Sequence, residues 1–304
     1  MNEAIYERFD PDFLKEEVRC EYRIPAKQKR VWAIELDMLE HLLDVCKRHD
    51  IQIFAYAGTM IGAVRHKGFI PWDDDMDFFL TRENYEKLRK VAADEFSYPY
   101  FFQNARTDKK FFIGYSRLRN SNTTGIMKWE RSLDYNNGIY LDIFVMDAFI
   151  NDRELVKKQR RKAKFLGKLM EHYYATGEIR TFSQNLILKI YQNTFCKIIP
   201  YDYLMKKYDE TLRMYEGKTD KYAMLTHDDS FNNWFDKEDI EETIYMDFEN
   251  IKVPVPKNYD KMLTTQFGNY MDFPPVEDRG NWHGDNITYE PDIPYKEYLK
   301  NNSK

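Results

Sequence analysis

Four acids fall within five residues at Asp73, Asp74, Asp75 and Asp77, and the apolar run Phe78-Phe79-Leu80 follows at once. Carboxylates are rarely buried without a partner, so acids entering a core strand call for a bound cation. Side chains alternate between the faces of a strand. If the stretch from Asp75 to Phe78 is extended, Asp75 and Asp77 project together while Met76 and Phe78 turn to the core. Two like charges side by side repel, and a hard divalent ion relieves that repulsion. Mg2+ commonly takes one or two carboxylates plus substrate phosphates, and Mn2+ suits the same oxygen ligands. Upstream, Gly58-Thr59 precedes a predicted helix from Met60 to His66. A glycine lets backbone approach a phosphate, and a helix N-terminus offers free N–H donors.

Other residues could serve the same chemistry. Arg117 and Arg119 alternate around Leu118, so they share a strand face that suits a diphosphate. The same pattern also decorates exposed strands. Arg65, His66 and Lys67 end the helix after Gly58-Thr59 and could meet phosphates. Compensation of the helix dipole, with Gly68 as cap, is the plainer reading. Asp142 stands inside the apolar run Leu141 to Val145, where a lone acid is costly unless paired or metal-linked.

Three other readings of the acidic cluster compete. It could be a solvated turn after Pro71. A calcium loop would need Gly and Glu at its sixth and twelfth positions, where this chain has Phe78 and Asn84. An Asp-x-Asp motif also holds the metal of sugar-nucleotide glycosyltransferases, and spacing alone does not dismiss it.

The elements that must position these residues are readable from periodicity. Ile24 to Asp50 repeats Trp32, Leu36, Leu39 and Leu43 at helical spacing and should cover one face of a sheet. Ile51 to Ala57 reads as a buried strand, and Thr81 to Ala93 as a helix with Thr81 as N-cap. Tyr98 to Gln103, Phe111 to Arg119 and Gly138 to Asp147 read as strands, with Asp147 capping or turning the chain. Beyond residue 150 the composition shifts. Arg153 to Lys168 is a strongly basic helix, and Ser183 to Ile199 reads as an amphipathic one. Most such helices are merely solvated, yet the combination also suits peripheral contact with an anionic membrane surface. The expected divisions are a catalytic core over residues 1–150, a helical segment over 151–220 and a C-terminal element over 221–304.

Composition excludes several classes. A net charge of −5, from 46 basic and 51 acidic residues, argues against nucleic-acid binding. Cys20, Cys46 and Cys196 are far apart and lack metal-ligand spacing, which fits a reduced, cytoplasmic protein. The N-terminal stretch lacks the basic start and apolar centre of a secretory signal, and no apolar run is long enough to span a bilayer. His227 beside Asp228 and Asp229 is a weak metal signal, and His283 could touch substrate or serve structure.

At this point a resemblance emerges. Gly58-Thr59-Met60-Ile61-Gly62-Ala63-Val64-Arg65-His66, followed by Gly68-Phe69-Ile70-Pro71-Trp72-Asp73-Asp74-Asp75-Met76-Asp77, resembles the signature of the LicD family. These are phosphocholine transferases of the nucleotidyltransferase superfamily, related to fukutin and fukutin-related protein. The run Val253 to Pro275 resembles the family's C-terminal element. The resemblance implies an α+β fold, with a nucleotidyltransferase-like mixed β-sheet core flanked by helices, a helical insertion and a C-terminal extension. It implies that Asp75, Asp77 and Asp142 hold Mg2+ or Mn2+ and act catalytically. Gly58, Thr59, Arg65, Arg117 and Arg119 would bind the donor's phosphates. The implied reaction moves phosphocholine from CDP-choline, or a polyol phosphate from a CDP-alcohol such as CDP-ribitol, to a hydroxyl of a cell-surface glycan precursor, such as that of a teichoic acid or polysaccharide. CMP leaves. A lipid-linked acceptor would place the chain at the inner face of the plasma membrane. A quaternary ammonium would want an aromatic cage, for which Trp129, Tyr135, Tyr140 and Trp282 are candidates. The rival from another class is a non-catalytic glycan-binding module.

Overall fold

The computed structural model describes residues 2–130, 135–175, 182–226, 233–280 and 283–302. His227, Asp228, Asp229 and Trp282, singled out above, lie outside them. The architecture is α+β: a mixed sheet of seven strands flanked by helices, with added helical and C-terminal elements. The sheet strands are β1 (Phe54–Ala55), β2 (Asp77–Thr81), β3 (Tyr100–Gln103), β4 (Ser116–Asn120), β5 (Ile139–Ala148), β6 (Lys221–Ala223) and β7 (Trp234–Asp236).

The ten-residue β5 is central. It runs parallel to β2 along one edge, with Asp77 opposite Asp142 and Phe79 opposite Phe144. Its other edge is shared by two antiparallel strands in succession. β4 pairs from Asn120 opposite Ile139 to Ser116 opposite Ile143, and β6 takes over at Asp147 and Ala148. Alternation explains the two faces. Phe78, Leu80, Leu141, Ile143 and Val145 pack into the large core beneath α1 (Ala26–Arg48). Phe79 and Met146 face the opposite way, into a smaller core with Phe235 and Met262. Asp77 and Asp142 therefore belong by parity to that second face.

Other elements depart from the periodicity in explicable ways. β1 keeps only two residues, because the chain turns at Ala57 (φ +43°) into α2 (Ala57–Ile61). That helix widens into a π-turn over Gly62–His66. The strand expected from Phe111 starts at Ser116, since Gly114 at φ +86° breaks the extended path. α3 (Arg82–Glu95) begins as expected, with the Thr81 hydroxyl accepting from the Asn84 N–H. Asp147 neither caps nor turns. It is buried at the end of β5, where Arg82 grips it through two hydrogen bonds of 2.7 and 2.8 Å and ties α3 to the sheet.

α4 (Arg153–Tyr173) is capped by Asp152, whose side chain accepts from the Glu154 and Leu155 N–H groups. The helix expected over residues 183–199 is split: α5 (Phe182–Asn193) ends before Thr194, and a short helix follows at Phe195–Ile198. The Thr194 hydroxyl donates to the Ile190 carbonyl, a back-bond that competes with the helical pattern. α6 (Tyr201–Leu212) packs on α4 around Leu166, Met170, Leu204 and Tyr208. The chain returns to the core through α7 (Tyr259–Phe267) and through the strand Ile287–Glu290, which pairs with Thr124–Met127. None of the helices among the described residues is long and apolar enough to cross a membrane.

Candidate metal and phosphoryl-transfer site

Asp75, Asp77 and Asp142 converge. One carboxylate oxygen from each lies within 4.8 Å of the others. The cause is register: Asp77 and Asp142 are directly opposed on β2 and β5, and Asp75 sits one pleat earlier, with fully buried Met76 between. Burial, then the charges of Asp75 and Asp142, pushes the Asp77 carboxyl well above the usual range. Burial and the charge of Asp73 do the same to Asp75, and Asp73 itself is pushed up to about 7 by burial and Asp74. Nearby Glu35, fully buried, is itself held well above the usual range by burial and the charges of Asp75, Asp74 and Asp73. Neither of its oxygens has a hydrogen-bond partner among the described residues. It lies one turn beyond Trp32 of α1, whose indole N–H donates to the Asp73 carbonyl at 3.3 Å. Carboxyls that resist ionising side by side are what a divalent cation stabilises in their charged form, and three convergent carboxylates are the right donors for Mg2+ or Mn2+. The residues therefore fit the ion.

A second group adjoins the first. Asp74, Asp75 and His283 also bring ligand-type atoms within 4.8 Å. His283 Nδ1 is 3.0 Å from Asp74 Oδ1, and its Nε2 is 3.8 Å from Asp75 Oδ2. Burial alone would depress the imidazole, but the hydrogen bond to Asp74 and the charge of Asp75 lift it to about 9. Sequence reasoning left His283 undecided because its partner lies 209 residues away.

The predicted cation partners separate. Arg117 is opposite Asp142 on β4 and donates from Nε to Asp142 Oδ1 at 2.7 Å, and from a terminal nitrogen to Glu130 at 2.8 Å. It thus adjoins the acidic site. Arg119 does not meet the expectation of phosphate contact. Its side chain has no exposed surface and donates to Gln103, Glu130 and the carbonyls of Gly125 and Gly138. Two arginines on one strand face, both buried, can still meet entirely different partners. Arg65 donates to the carbonyls of Tyr270 and Asp272 at 2.6 and 2.9 Å, and so clamps the proline-rich C-terminal loop.

Thr59 and Gly58 are also placed differently from the expectation. The Thr59 hydroxyl accepts the Asp77 N–H at 2.8 Å, so it sets the start of β2 from beneath. The close approach that Gly58 permits is used by the chain's own Asp73: a Cβ on residue 58 would fall 2.4 Å from Asp73 Oδ2. Gly58→Ala should therefore push the Asp73 carboxylate aside, and with it the loop carrying Asp75. The expected result is a fold that melts within a few degrees of the parent but turns over roughly 100-fold more slowly, as small misplacements of reacting groups do. Steady-state kinetics beside a thermal melt would check it, and unchanged kcat/KM would contradict the packing account.

A profile of the LicD/FKTN/FKRP nucleotidyltransferase domain matches residues 50–173. The chain contains a LicD/FKTN nucleotidyltransferase-like domain. Among relatives, it is 27% identical over 255 residues to the lipopolysaccharide cholinephosphotransferase LicD of Haemophilus influenzae, covering 82% of this chain and 92% of that one. It is 28% identical over 155 residues to an uncharacterized protein of Rickettsia prowazekii, covering 49% and 53%. The matched LicD-type domain includes Gly58, Asp75, Asp77, Arg117 and Asp142, and it ends well before His283.

The aromatic candidates named from sequence fare poorly in this LicD-type domain. Tyr140 is buried with the Arg117 guanidinium 3.7 Å above its ring, and Tyr135 is buried edge-on to Phe111. Trp129 is 46% exposed. A better aromatic wall went unnoticed in the sequence. Tyr22, Trp72 and Tyr289, together with Asp73, line a cleft of about 270 Å³. Trp72 sits next to the acids in the chain and could have been noticed. Tyr22 and Tyr289 come from distant segments.

Proposed function

We propose that this chain transfers phosphocholine from CDP-choline to a hydroxyl of a cell-surface glycan precursor, releasing CMP. The convergence of Asp75, Asp77 and Asp142 on adjoining strands carries the reading, and the cholinephosphotransferase activity for which the Haemophilus relative is named supports the transferred group. A bound Mg2+ or Mn2+ would neutralise the donor's diphosphate and favour departure of CMP. Asp75, Asp77 and Asp142 are the residues that would hold it. In the transfer, the acceptor oxygen bonds to the phosphorus that bears choline. The bond from that phosphorus to the bridging oxygen breaks, and CMP carries the electron pair away. The acceptor's proton passes to a carboxylate, a role we assign to Asp142. Arg117 occupies Asp142 Oδ1, which orients Oδ2 toward the Tyr115 side of the site. Arg117 also adds fixed positive charge where negative charge develops.

The cleft of Tyr22, Trp72 and Tyr289 favours a cationic headgroup over a neutral polyol. Aromatic faces attract a quaternary ammonium, and Asp73 adds a negative charge beside them. The ammonium of Lys27, which also lines the cleft, is engaged by Glu290 at 2.7 Å. Incubation with Mg2+ and a panel of CDP-choline, CDP-ethanolamine, CDP-glycerol, CDP-ribitol and UDP-glucose should yield CMP most rapidly from CDP-choline. Trp72→Ala should raise KM for CDP-choline by about tenfold, the worth of one such contact, and leave the glycerol compound little affected. CMP from CDP-ribitol in preference would shift the reading to polyol-phosphate transfer. UDP release alone would point to a glycosyltransferase, and no turnover with any donor to a binding module.

A further inference from the structure

We propose that α4 and α5 form a docking face for an anionic lipid bilayer. On α5, Leu188 is buried, the Tyr191 hydroxyl donates to the Leu169 carbonyl, and the Gln192 amide donates to the carbonyls of His172 and Ala175. These residues, at three- and four-residue steps, define the side held against α4. Leu186, Ile187 and Ile190 lie within about 100° of one another on the opposite side. They are 51%, 67% and 55% exposed. Ile198, in the short helix that follows, is 76% exposed. A soluble helix does not ordinarily turn its bulkiest aliphatic residues outward in a row.

Charge identifies the occupant. No acid occurs between Leu155 and Met170, nor between Phe182 and Tyr201. On α4, Lys158, Arg161, Lys164 and Lys168 are exposed and have no salt bridge among the described residues, whereas Lys157 pairs with Glu154. Phe165, 63% exposed, stands among them. Lys189 and Lys197 are exposed beside the aliphatic row on α5 and its continuation. Exposed aliphatic and aromatic side chains flanked by unpaired cations are the composition of a helix lying in a bilayer interface, its apolar side among acyl chains and its cations at anionic headgroups. A protein partner of ordinary interface composition would be depleted in lysine at its centre. The inference stands apart from the transfer reaction, since vesicle binding requires neither donor nor acceptor.

The test is co-sedimentation of the full chain with vesicles of phosphatidylcholine alone and of phosphatidylcholine with phosphatidylglycerol. Binding should require the anionic lipid and weaken as salt rises. Reversing Lys158, Arg161, Lys164 and Lys168 to Glu should lower partitioning by at least about 100-fold. The triple variant Leu186→Ser, Ile187→Ser, Ile190→Ser should lower it independently. Circular dichroism should show both variants folded, and donor turnover in solution should stay as in the parent. Equal binding to both vesicle types, no binding to either, or parent-like binding by both variants overturns the proposal. So does a concentration-dependent dimer abolished by the triple variant without any lipid binding, which would assign the face to a second copy.

Discussion

Asp75→Asn and Asp77→Asn should each cut metal-dependent turnover about 1000-fold, while making the metal-free protein more stable, not less. The loss follows from removing a charge-stabilising group at a phosphoryl-transfer centre. The gain in stability follows from the site's own repulsion. Asp75 and Asp77 are held well above the ordinary carboxylate range, first by burial and then by neighbouring charge, that of Asp73 on Asp75 and those of Asp75 and Asp142 on Asp77. For a raised acid, the sign is definite. Its contribution to stability is fully present below the unfolded value, about 4, and is lost as pH rises through the folded value. Asp73, pushed up to about 7, marks the upper end of its own share of that window. Stability of the metal-free chain relative to the Asn variants should therefore fall as pH rises above about 4 and through the raised folded values of Asp75 and Asp77. Each pKa unit of repulsion relieved amounts to about 1.4 kcal/mol, or about 2–4 °C of melting temperature in a chain of this size. Melts of parent and variant across pH, with chelator and again with Mg2+, read this directly. Mg2+ should raise the parent's melting temperature and leave the Asp77→Asn variant nearly unmoved. Parent-like turnover in either variant, or parallel melting curves across that pH range, would refute the account.

Arg117→Met should cost about 3–5 kcal/mol and bring the protein to the edge of unfolding. Arg117 is buried between Asp142 and Glu130 and hydrogen-bonds both. Removing it leaves the Asp142 carboxylate without its cation, while Glu130 retains Arg119 at 3.4 Å and the Met127 N–H at 3.0 Å. Replacing a whole buried ionic group by neutral side chains costs far less than removing one member. The combined variant Arg117→Met, Glu130→Gln, Asp142→Asn should therefore recover most of the lost stability, though none of the activity. Urea unfolding of the two variants decides the matter. A single variant within about 1 kcal/mol of the parent, the range of an ordinary substitution, would show that Arg117 is not the counter-charge described.

Local pattern was enough to find much of this molecule. Alternation placed Met76 and Phe78 in the core and turned Asp75 and Asp77 to the opposite face, because a strand's period of two is a property of neighbouring residues. The long helix before the site, the Thr81 cap and the apolar run holding Asp142 were readable for the same reason. Within that range, the sequence by itself determined that acids would enter a sheet core and roughly which ones.

Tertiary structure decided everything that depends on depth and on distant partners. Arg117 and Arg119 look equivalent in sequence, yet one faces the acids while the other is sealed beneath carbonyls. Thr59 and Gly58 read as phosphate ligands, but the fold uses them to seat Asp77 and Asp73. His283, Tyr22 and Tyr289 reach the site only because the strand Ile287–Glu290 pairs with residues 124–127 and a hairpin of Glu17–Arg19 with Tyr22–Ile24 precedes α1. The exposed row Leu186, Ile187 and Ile190 is the same lesson reversed. Helical spacing shows that an apolar stripe exists, and only packing shows which side of it was left uncovered. The reason is physical: periodicity is set by bonds between neighbours in the chain, whereas burial and charge pairing are set by whatever the folded chain brings alongside.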